Sequence, residues 1–205
     1  DDTSLRLLTE GYLDLNGTFS KIQDTYESYL KTKGCPYQKA ISLTKPQIDC
    51  LHLAYESGAK KFKLDWIHGL REYVTGSCPM CGSSSVGTVE HYLPKSPFPE
   101  FSIFSFNLLP SCGPCNSKRG SKHNNTAKHK LLHPIFDKDI LDKLQLITIF
   151  DLSNTILDFE LSYNTIDYTS SEQLRISAHI STCVDRRAYR ITTLNHKNLD
   201  SIRSK

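Results

Sequence analysis

Apolar side chains recur at steps of three and four residues from Leu5 to Tyr29, which is the pattern of one face of an α-helix. The members of this stripe are Leu5, Leu8, Tyr12, Leu15, Phe19, Ile22, Tyr26 and Tyr29. Asn16-Gly17 interrupts the stripe as a turn would, so we expect either one bent helix or two short ones. An apolar face of this length has to be buried, either on the chain's own core or against a partner protein or a second copy.

Two more helices are predicted before residue 77. Thr44 and Gln47 stand at capping-box spacing, so one helix should begin there and end at Gly58. Another should run from residue 64 to residue 74, with its apolar side chains on one face and Gly76 as its stop. We therefore assign residues 1–76 to a helical N-terminal region and treat it as a candidate surface for partner docking.

Residues 136–205 are predicted to form a C-terminal strand pair and a helix. Residues 144–150 and 157–163 have the composition of strands, and the second stretch alternates apolar with polar side chains. Thr169 and Glu172 form another capping-box pattern, which should open a helix that reaches about Tyr189. Helices, strands and a closing helix in this order indicate an α+β fold.

Composition and charge narrow the class of protein. The 205 residues are 38% hydrophobic and 23% charged, and they contain no apolar run of about 18 residues that could span a membrane. Asp1-Asp2-Thr3 is not followed by a basic-then-apolar signal pattern, so we expect a cytoplasmic protein. No acidic residue lies between Glu100 and Asp137, whereas that interval holds Lys118, Arg119, Lys122, Lys128 and Lys130. Such a segment suits phosphate binding, and a solvated basic loop would look the same.

Four of the seven cysteines form two Cys-x-x-Cys pairs, Cys78 with Cys81 and Cys112 with Cys115. Each pair places two sulfurs on one side of a tight turn, and two such turns complete a closed tetrahedral site for structural zinc. An odd number of cysteines that includes two such pairs fits metal binding in a reducing compartment better than a disulfide framework.

Residues suited to phosphodiester hydrolysis lie between these pairs and just after them. Glu90 and His91 are adjacent at the end of a β-like run, and Asn107 and Asn116 follow. An imidazole can accept a proton from water near neutral pH, and carboxylate and carboxamide oxygens suit Mg²⁺ or Mn²⁺. The candidate contacts to flanking phosphates of a nucleic acid are Lys95, Lys118, Arg119 and Lys122.

The segment from Cys78 to Lys122 resembles the HNH nucleases, a branch of the ββα-metal or His-Me finger group, in their zinc-bearing form. The resemblance implies a zinc-bound ββα-metal core at residues 77–135. It implies that His91 is the general base, that Glu90 and Asn116 bind one catalytic Mg²⁺ or Mn²⁺, and that Asn107 braces the loop that carries His91. The expected reaction is endonucleolytic hydrolysis of nucleic acid, DNA rather than RNA, which leaves a 5′-phosphate and a 3′-hydroxyl.

Two positions depart from the usual family pattern. The family often has Asp where this chain has Glu90, and often has His where it has Asn116. The longer Glu side chain still reaches a metal, with a slightly different coordination geometry, and we also associate Asn at the second position with active members. Neither departure predicts loss of activity.

The residues that follow His91 resemble those of PtuB-like HNH nucleases of Septu-type anti-phage defence systems, which implies an ATPase partner protein. The N-terminal stripe would then be the candidate docking surface. Two alternatives from other classes stay open, namely a zinc-ribbon module that binds nucleic acid without cutting it and a structural subunit of a larger complex. A divalent-ion site at Glu90 and Asn116, in addition to zinc, would distinguish the enzyme from both.

Overall fold

The computed structural model describes residues 1–72, 77–83, 86–124, 129–151, 158–164 and 166–189. Its N-terminal part is helical, with 3-10 turns at Leu13–Leu15 and Lys60–Phe62. The helices are α1 (Asp2–Gly11), α2 (Phe19–Thr32), α3 (Lys45–Ser57) and α4 (Trp66–Glu72). Gln47 accepts a 2.8 Å hydrogen bond from the Thr44 amide, which confirms the predicted cap of α3. Residues 74 and 76, the predicted end of the fourth helix, lie outside the described residues.

The N-terminal stripe forms two helices that pack on the chain's own core. Leu5, Leu8 and Leu15 are completely buried, as are Ile22 and Tyr29. The same apolar cluster includes Val89 of the central segment and Val184 of the C-terminal segment. The three segments predicted from the sequence therefore share one core, and the stripe is not free to dock a partner.

A strand, a second strand and a short helix follow the N-terminal helices and form a ββα unit. Strands β1 (Thr88–His91) and β2 (Leu108–Ser111) pair antiparallel, with His91 opposite Leu108. The connection between them contains 3-10 turns at Pro99–Phe101 and Ser105–Asn107. Helix α5 (Gly113–Arg119) follows directly and packs against β1 and against the last helix of the chain.

The C-terminal part contains the predicted strand pair and helix. After the short helix α6 (Lys138–Leu141), strands β3 (Leu146–Asp151) and β4 (Asp158–Tyr163) pair antiparallel, and helix α7 (Ser170–Cys183) follows. The expectation that this helix reaches about Tyr189 is wrong, since the backbone becomes extended at Val184. Glu172 accepts a 2.8 Å hydrogen bond from the Thr169 amide, which confirms the second capping box. Residue 157, the predicted start of the second strand, lies outside the described residues. The α+β class is confirmed, and no helix in the described ranges is long and apolar enough to cross a bilayer.

Candidate metal centre and active site

The four cysteines of the two pairs meet beside the ββα unit. Cys78 and Cys81 lie in the turn before β1, Cys112 caps the N-terminus of α5, and Cys115 lies within that helix. All four are buried, and their sulfurs lie within 4.8 Å of one another. Tetrahedral zinc with Zn–S bonds of about 2.3 Å requires sulfurs roughly 3.8 Å apart. The Cys81 and Cys112 sulfurs are 3.9 Å apart, so this cluster could hold a metal such as zinc.

The backbone around the first pair forms a tight turn. The Cys78 amide donates to the Ser83 carbonyl at 2.6 Å, and Gly82 adopts a left-handed φ of 74° that favours glycine. The Cys112 amide donates to the Cys78 sulfur at 3.3 Å, which couples the two pairs. His179 on α7 is completely buried and donates through Nε2 to the Met80 carbonyl at 2.7 Å. The closing helix therefore supports the turn from outside the ββα unit.

His91 ends β1 in an environment that determines its tautomer. Its Nε2 lies 3.0 Å from the Ser102 carbonyl, an atom that can only accept, so Nε2 carries the proton and Nδ1 is the basic nitrogen. The Tyr55 ring of α3 packs edge-on against the imidazole, with ring centroids 4.4 Å apart. Burial lowers the pKa of His91 to about 4, although the hydrogen bond to Ser102 opposes the shift. The imidazole is thus neutral at physiological pH and able to accept a proton.

Asn107 is completely buried and hydrogen-bonded to the chain just after His91. Its Oδ1 accepts from the Leu93 amide at 2.7 Å, and its Nδ2 donates to the Leu93 carbonyl at 3.0 Å and to the Phe101 carbonyl at 3.2 Å. Its own carbonyl accepts from the Tyr92 amide at 2.8 Å. The Asn107 side chain therefore connects Leu93, two residues after His91, to the backbone at Phe101.

Glu90 forms a buried ion pair with Arg119. Arg119 Nη1 lies 3.0 Å from Glu90 Oε1 and 2.9 Å from the His91 carbonyl, while Nη2 donates to the Tyr92 carbonyl. The Arg119 side chain is 1% exposed. Burial raises the pKa of Glu90 to about 7, and the nearby guanidinium opposes this shift. The sequence suggested that Arg119 contacts phosphate, whereas the structure encloses its guanidinium as the partner of Glu90, where a phosphate cannot reach it.

The remaining predicted residues lie around this centre. Asn116 is half-buried on α5, and its side chain has no hydrogen-bond partner among the described residues. The Lys118 ammonium donates to the Val184 carbonyl at 2.5 Å, so it holds the chain just after α7.

Two other predicted lysines are at least partly exposed. Lys122 is exposed, and Lys95 forms a 3.0 Å ion pair with Glu56 of α3. Lys128 lies outside the described residues.

The structure also adds residues that the sequence did not assign to the site. Ser102 holds His91 Nε2, and Tyr55 packs on the imidazole. Tyr29 and His133 are buried beside Asn107, with the Tyr29 hydroxyl 3.1 Å from Asn107 Oδ1. Tyr29 and Tyr55 come from helices distant in sequence, so no local motif could identify them. His133 stands in the basic interval, where sequence alone does not separate core histidines from substrate-binding ones.

Two curated proteins are similar to parts of the chain. A stretch of 80 residues is 36% identical to protein ea31 of Escherichia phage lambda and covers 38% of this chain and 27% of ea31. A stretch of 60 residues is 37% identical to Septu protein PtuB of Bacillus thuringiensis and covers 29% of this chain and 23% of PtuB. The matched segments therefore span about a quarter of the length of these relatives. No family model matches the chain, and no solved structure matches it.

Proposed function

We propose that this chain is a metal-dependent endonuclease of the HNH type that hydrolyses phosphodiester bonds of nucleic acid, with DNA as the preferred substrate. The observation that carries the proposal is the placement of Glu90, His91, Asn107 and Asn116 on one ββα unit beside the four-cysteine cluster. Residues 77–135 are the proposed catalytic core, flanked by the helical region and the C-terminal extension that share its hydrophobic core.

His91 is the proposed general base. The Ser102 carbonyl holds the Nε2 proton, so the free Nδ1 is the atom that takes a proton from the attacking water. Burial, which lowers the pKa of His91, keeps the imidazole in the neutral form that this step needs, and it also makes Nδ1 a weaker base than that of a solvent-exposed histidine. Asn107 holds the chain on the far side of His91 through Leu93, and it therefore limits movement of the base relative to the substrate.

Glu90 and Asn116 are the proposed ligands of one Mg²⁺ or Mn²⁺. Their carboxylate and carboxamide oxygens are hard donors, as these ions prefer. Arg119 takes Oε1 of Glu90, which leaves Oε2 of the same carboxylate for the ion. When bound there, the ion would stabilise negative charge on the phosphoryl group and on the leaving oxygen.

The four cysteines are the proposed ligands of a structural zinc ion. They are buried, and four thiolates fill a tetrahedral coordination sphere, so no position is left for substrate or water. Zinc held there would connect the turn before β1 to the start of α5. It would thereby keep the strand that carries Glu90 and His91 close to the helix that carries Asn116.

Phosphates that flank the scissile bond are proposed to contact Lys95 and Lys122, which are partly and largely exposed respectively. Lys118 is retained as a weaker candidate, because a phosphate would have to compete with its hydrogen bond to Val184. A biological role in anti-phage defence with an ATPase partner is proposed from the similarity to Septu protein PtuB. Because the N-terminal stripe is buried, a partner would have to use another surface of the helical region.

Cleavage of supercoiled DNA, linear DNA, single strands and RNA in Mg²⁺ or Mn²⁺ tests this proposal directly. We expect His91→Ala to lower the rate by roughly 10²–10⁴-fold, the contribution typical of a general base. His68→Ala is the matched control, because His68 is hydrogen-bonded to the Ser57 carbonyl on α3 and has no part in the site. Equal cleavage by the parent and by His91→Ala would refute the mechanism. Nucleic-acid binding without cleavage, in a folded and zinc-loaded protein, would instead favour the non-catalytic binding module.

A further inference from the structure

Three polar side chains form a hydrogen-bonded chain beneath the proposed active site. Tyr29 comes from α2, His133 from the segment before α6, and Asn107 from the 3-10 turn before β2. All three are completely buried. The Tyr29 hydroxyl is 3.1 Å from His133 Nε2 and 3.1 Å from Asn107 Oδ1. Buried polar groups require partners, so this arrangement constrains all three elements at once.

The direction of each hydrogen bond follows from the partners. The Ile135 amide donates to His133 Nδ1 at 3.1 Å, so the proton of the neutral ring is on Nε2 and is donated to the Tyr29 oxygen. Burial lowers the pKa of His133 to about 3, in agreement with a neutral ring. The Tyr29 hydroxyl is then free to donate to Asn107 Oδ1. The Phe106 carbonyl, 3.3 Å away on the same turn, is its second acceptor.

Asn107 transmits this constraint to residues 91–93, which we call the His91 segment. The oxygen that accepts from Tyr29 is also the acceptor for the Leu93 amide. Rotation of the Asn107 side chain would break both hydrogen bonds and those that Nδ2 donates to Leu93 and Phe101. The Tyr29 hydroxyl therefore helps to select the single orientation of Asn107 that holds the His91 segment.

We propose that Tyr29 and His133 are positioning residues, which hold Asn107 and through it the His91 segment in the geometry that the reaction requires. This role in catalysis rests on the proposed nuclease function. Neither side chain would touch the substrate, since both are enclosed in the core. The N-terminal helical region then contributes to the active site itself in addition to its part in the hydrophobic core.

The chain offers a matched control one turn earlier on α2. Tyr26 is 3% exposed and stacks on Phe104 with ring centroids 4.1 Å apart, while the Tyr29 ring contacts the same phenylalanine at 5.2 Å. Within the described part of the chain the Tyr26 hydroxyl has no hydrogen-bond partner. Tyr26→Phe and Tyr29→Phe thus remove the same atom from the same helix, but only Tyr29→Phe breaks a hydrogen bond to Asn107.

The test compares these two variants by amide hydrogen exchange and by single-turnover cleavage at saturating protein. We expect Tyr29→Phe to speed exchange of the Leu93 amide by about tenfold, as loss of one buried hydrogen bond would. We expect its cleavage rate constant to fall by roughly tenfold to a hundredfold, with nucleic-acid affinity and zinc content unchanged. Tyr26→Phe should leave the exchange rate and the cleavage rate at the parent values.

A second pair of variants covers the case in which a tyrosine substitution disturbs packing. His133→Gln keeps an N–H donor near the position of Nε2, whereas His133→Met has a similar length and no donor. Slower cleavage and faster Leu93 exchange in the Met variant than in the Gln variant would support the proposal.

The exchange measurement does not depend on nuclease activity. Unchanged Leu93 exchange in Tyr29→Phe, or equal effects in both tyrosine variants, would overturn the positioning role whatever the cleavage result. Faster Leu93 exchange in Tyr29→Phe alone, in a chain that cuts no nucleic acid, would support the structural coupling. In that case the proposed nuclease function would be wrong, and the contact between Tyr29 and Asn107 would stand.

Discussion

The N-terminal helices and the ββα unit bury different kinds of side chain. The interior face of α1 and α2 is mainly apolar, with Leu5, Leu8 and Ile22 completely buried, and its buried polar groups are hydroxyls such as those of Ser4 and Tyr29. The ββα unit and its connecting loop bury Glu90, His91, Asn107 and Arg119, and each of these has defined hydrogen-bond partners. Both regions belong to one apolar cluster, so the difference lies in the chemistry of the buried groups and not in the degree of burial.

This difference indicates where stability and function reside. Apolar burial is non-directional and tolerates substitutions that preserve volume, whereas a buried polar group is costly unless its partners stand in one geometry. A protein that encloses the Glu90 carboxylate, the Arg119 guanidinium and the His91 imidazole side by side in the fold gains a specific arrangement at a cost in stability. Substitutions in the two regions should therefore differ in their effects on stability and on nucleic-acid cleavage.

Removal of metal from the cysteine cluster should have the largest effect. We expect about one zinc ion per chain, and its loss should unfold the ββα unit, because structural zinc contributes roughly 10–16 kcal/mol in small zinc-dependent folds. Cys112→Ser should lose both the zinc and the fold of β1 and β2. Cys50→Ser, which alters a half-buried cysteine outside the cluster, should retain both. Metal analysis and circular dichroism measure the outcome, and a zinc-free chain with a native spectrum would contradict the prediction.

Loss of the buried guanidinium should have the next largest effect. Arg119→Met leaves Glu90 and the carbonyls of His91 and Tyr92 without their partner, and we expect the free energy of unfolding to fall by about 3–5 kcal/mol. Glu90→Gln in the same chain should recover part of that loss, because no uncompensated charge then remains. Urea unfolding of the two single variants and the double variant measures this. Additive losses in the double variant would show that the two side chains do not interact.

Substitutions in the apolar region should have smaller effects that depend on burial alone. Leu15→Ala removes a completely buried side chain and should cost about 2–5 kcal/mol, while nucleic-acid cleavage by the folded fraction stays unchanged. Leu13 lies in the same 3-10 turn and is 93% exposed, so Leu13→Ala should alter stability by no more than about 0.5 kcal/mol. Comparable losses in the two variants would indicate that Leu13 is covered in solution.

Local patterns in the sequence predicted the elements of the fold well. Capping boxes at Thr44 and Thr169 correctly placed the starts of α3 and α7, since the reciprocal hydrogen bonds involve residues three apart. Alternation and β-rich composition located β3 and β4 to within about two residues. The two cysteine pairs predicted a cluster that the structure assembles from the turn before β1 and the start of α5.

The candidate site was predictable in part. The Glu90-His91 pair, Asn107 and Asn116 stand out in the sequence because their motif is local and ordered, and their proposed roles await the experiments above. Arg119 was misinterpreted as a phosphate contact, because a basic residue beside Lys118 in an interval without acids has the same sequence pattern whether it is solvated or buried. Its burial depends on how α5 packs on β1, which no local pattern records.

The sequence by itself determined the cysteine pairs and the order of acid, imidazole and amide residues, because each depends on short-range spacing. The two strands and the helix that present them were expected only from the resemblance to a known family. Only the tertiary structure decided that the N-terminal stripe is core, that Arg119 pairs with Glu90, and that Tyr29 links His133 to Asn107. These contacts join residues 29 to 104 positions apart. The polar contacts among them form because a buried polar group needs a hydrogen-bond partner. Which partner is near depends on how distant segments of the chain pack together.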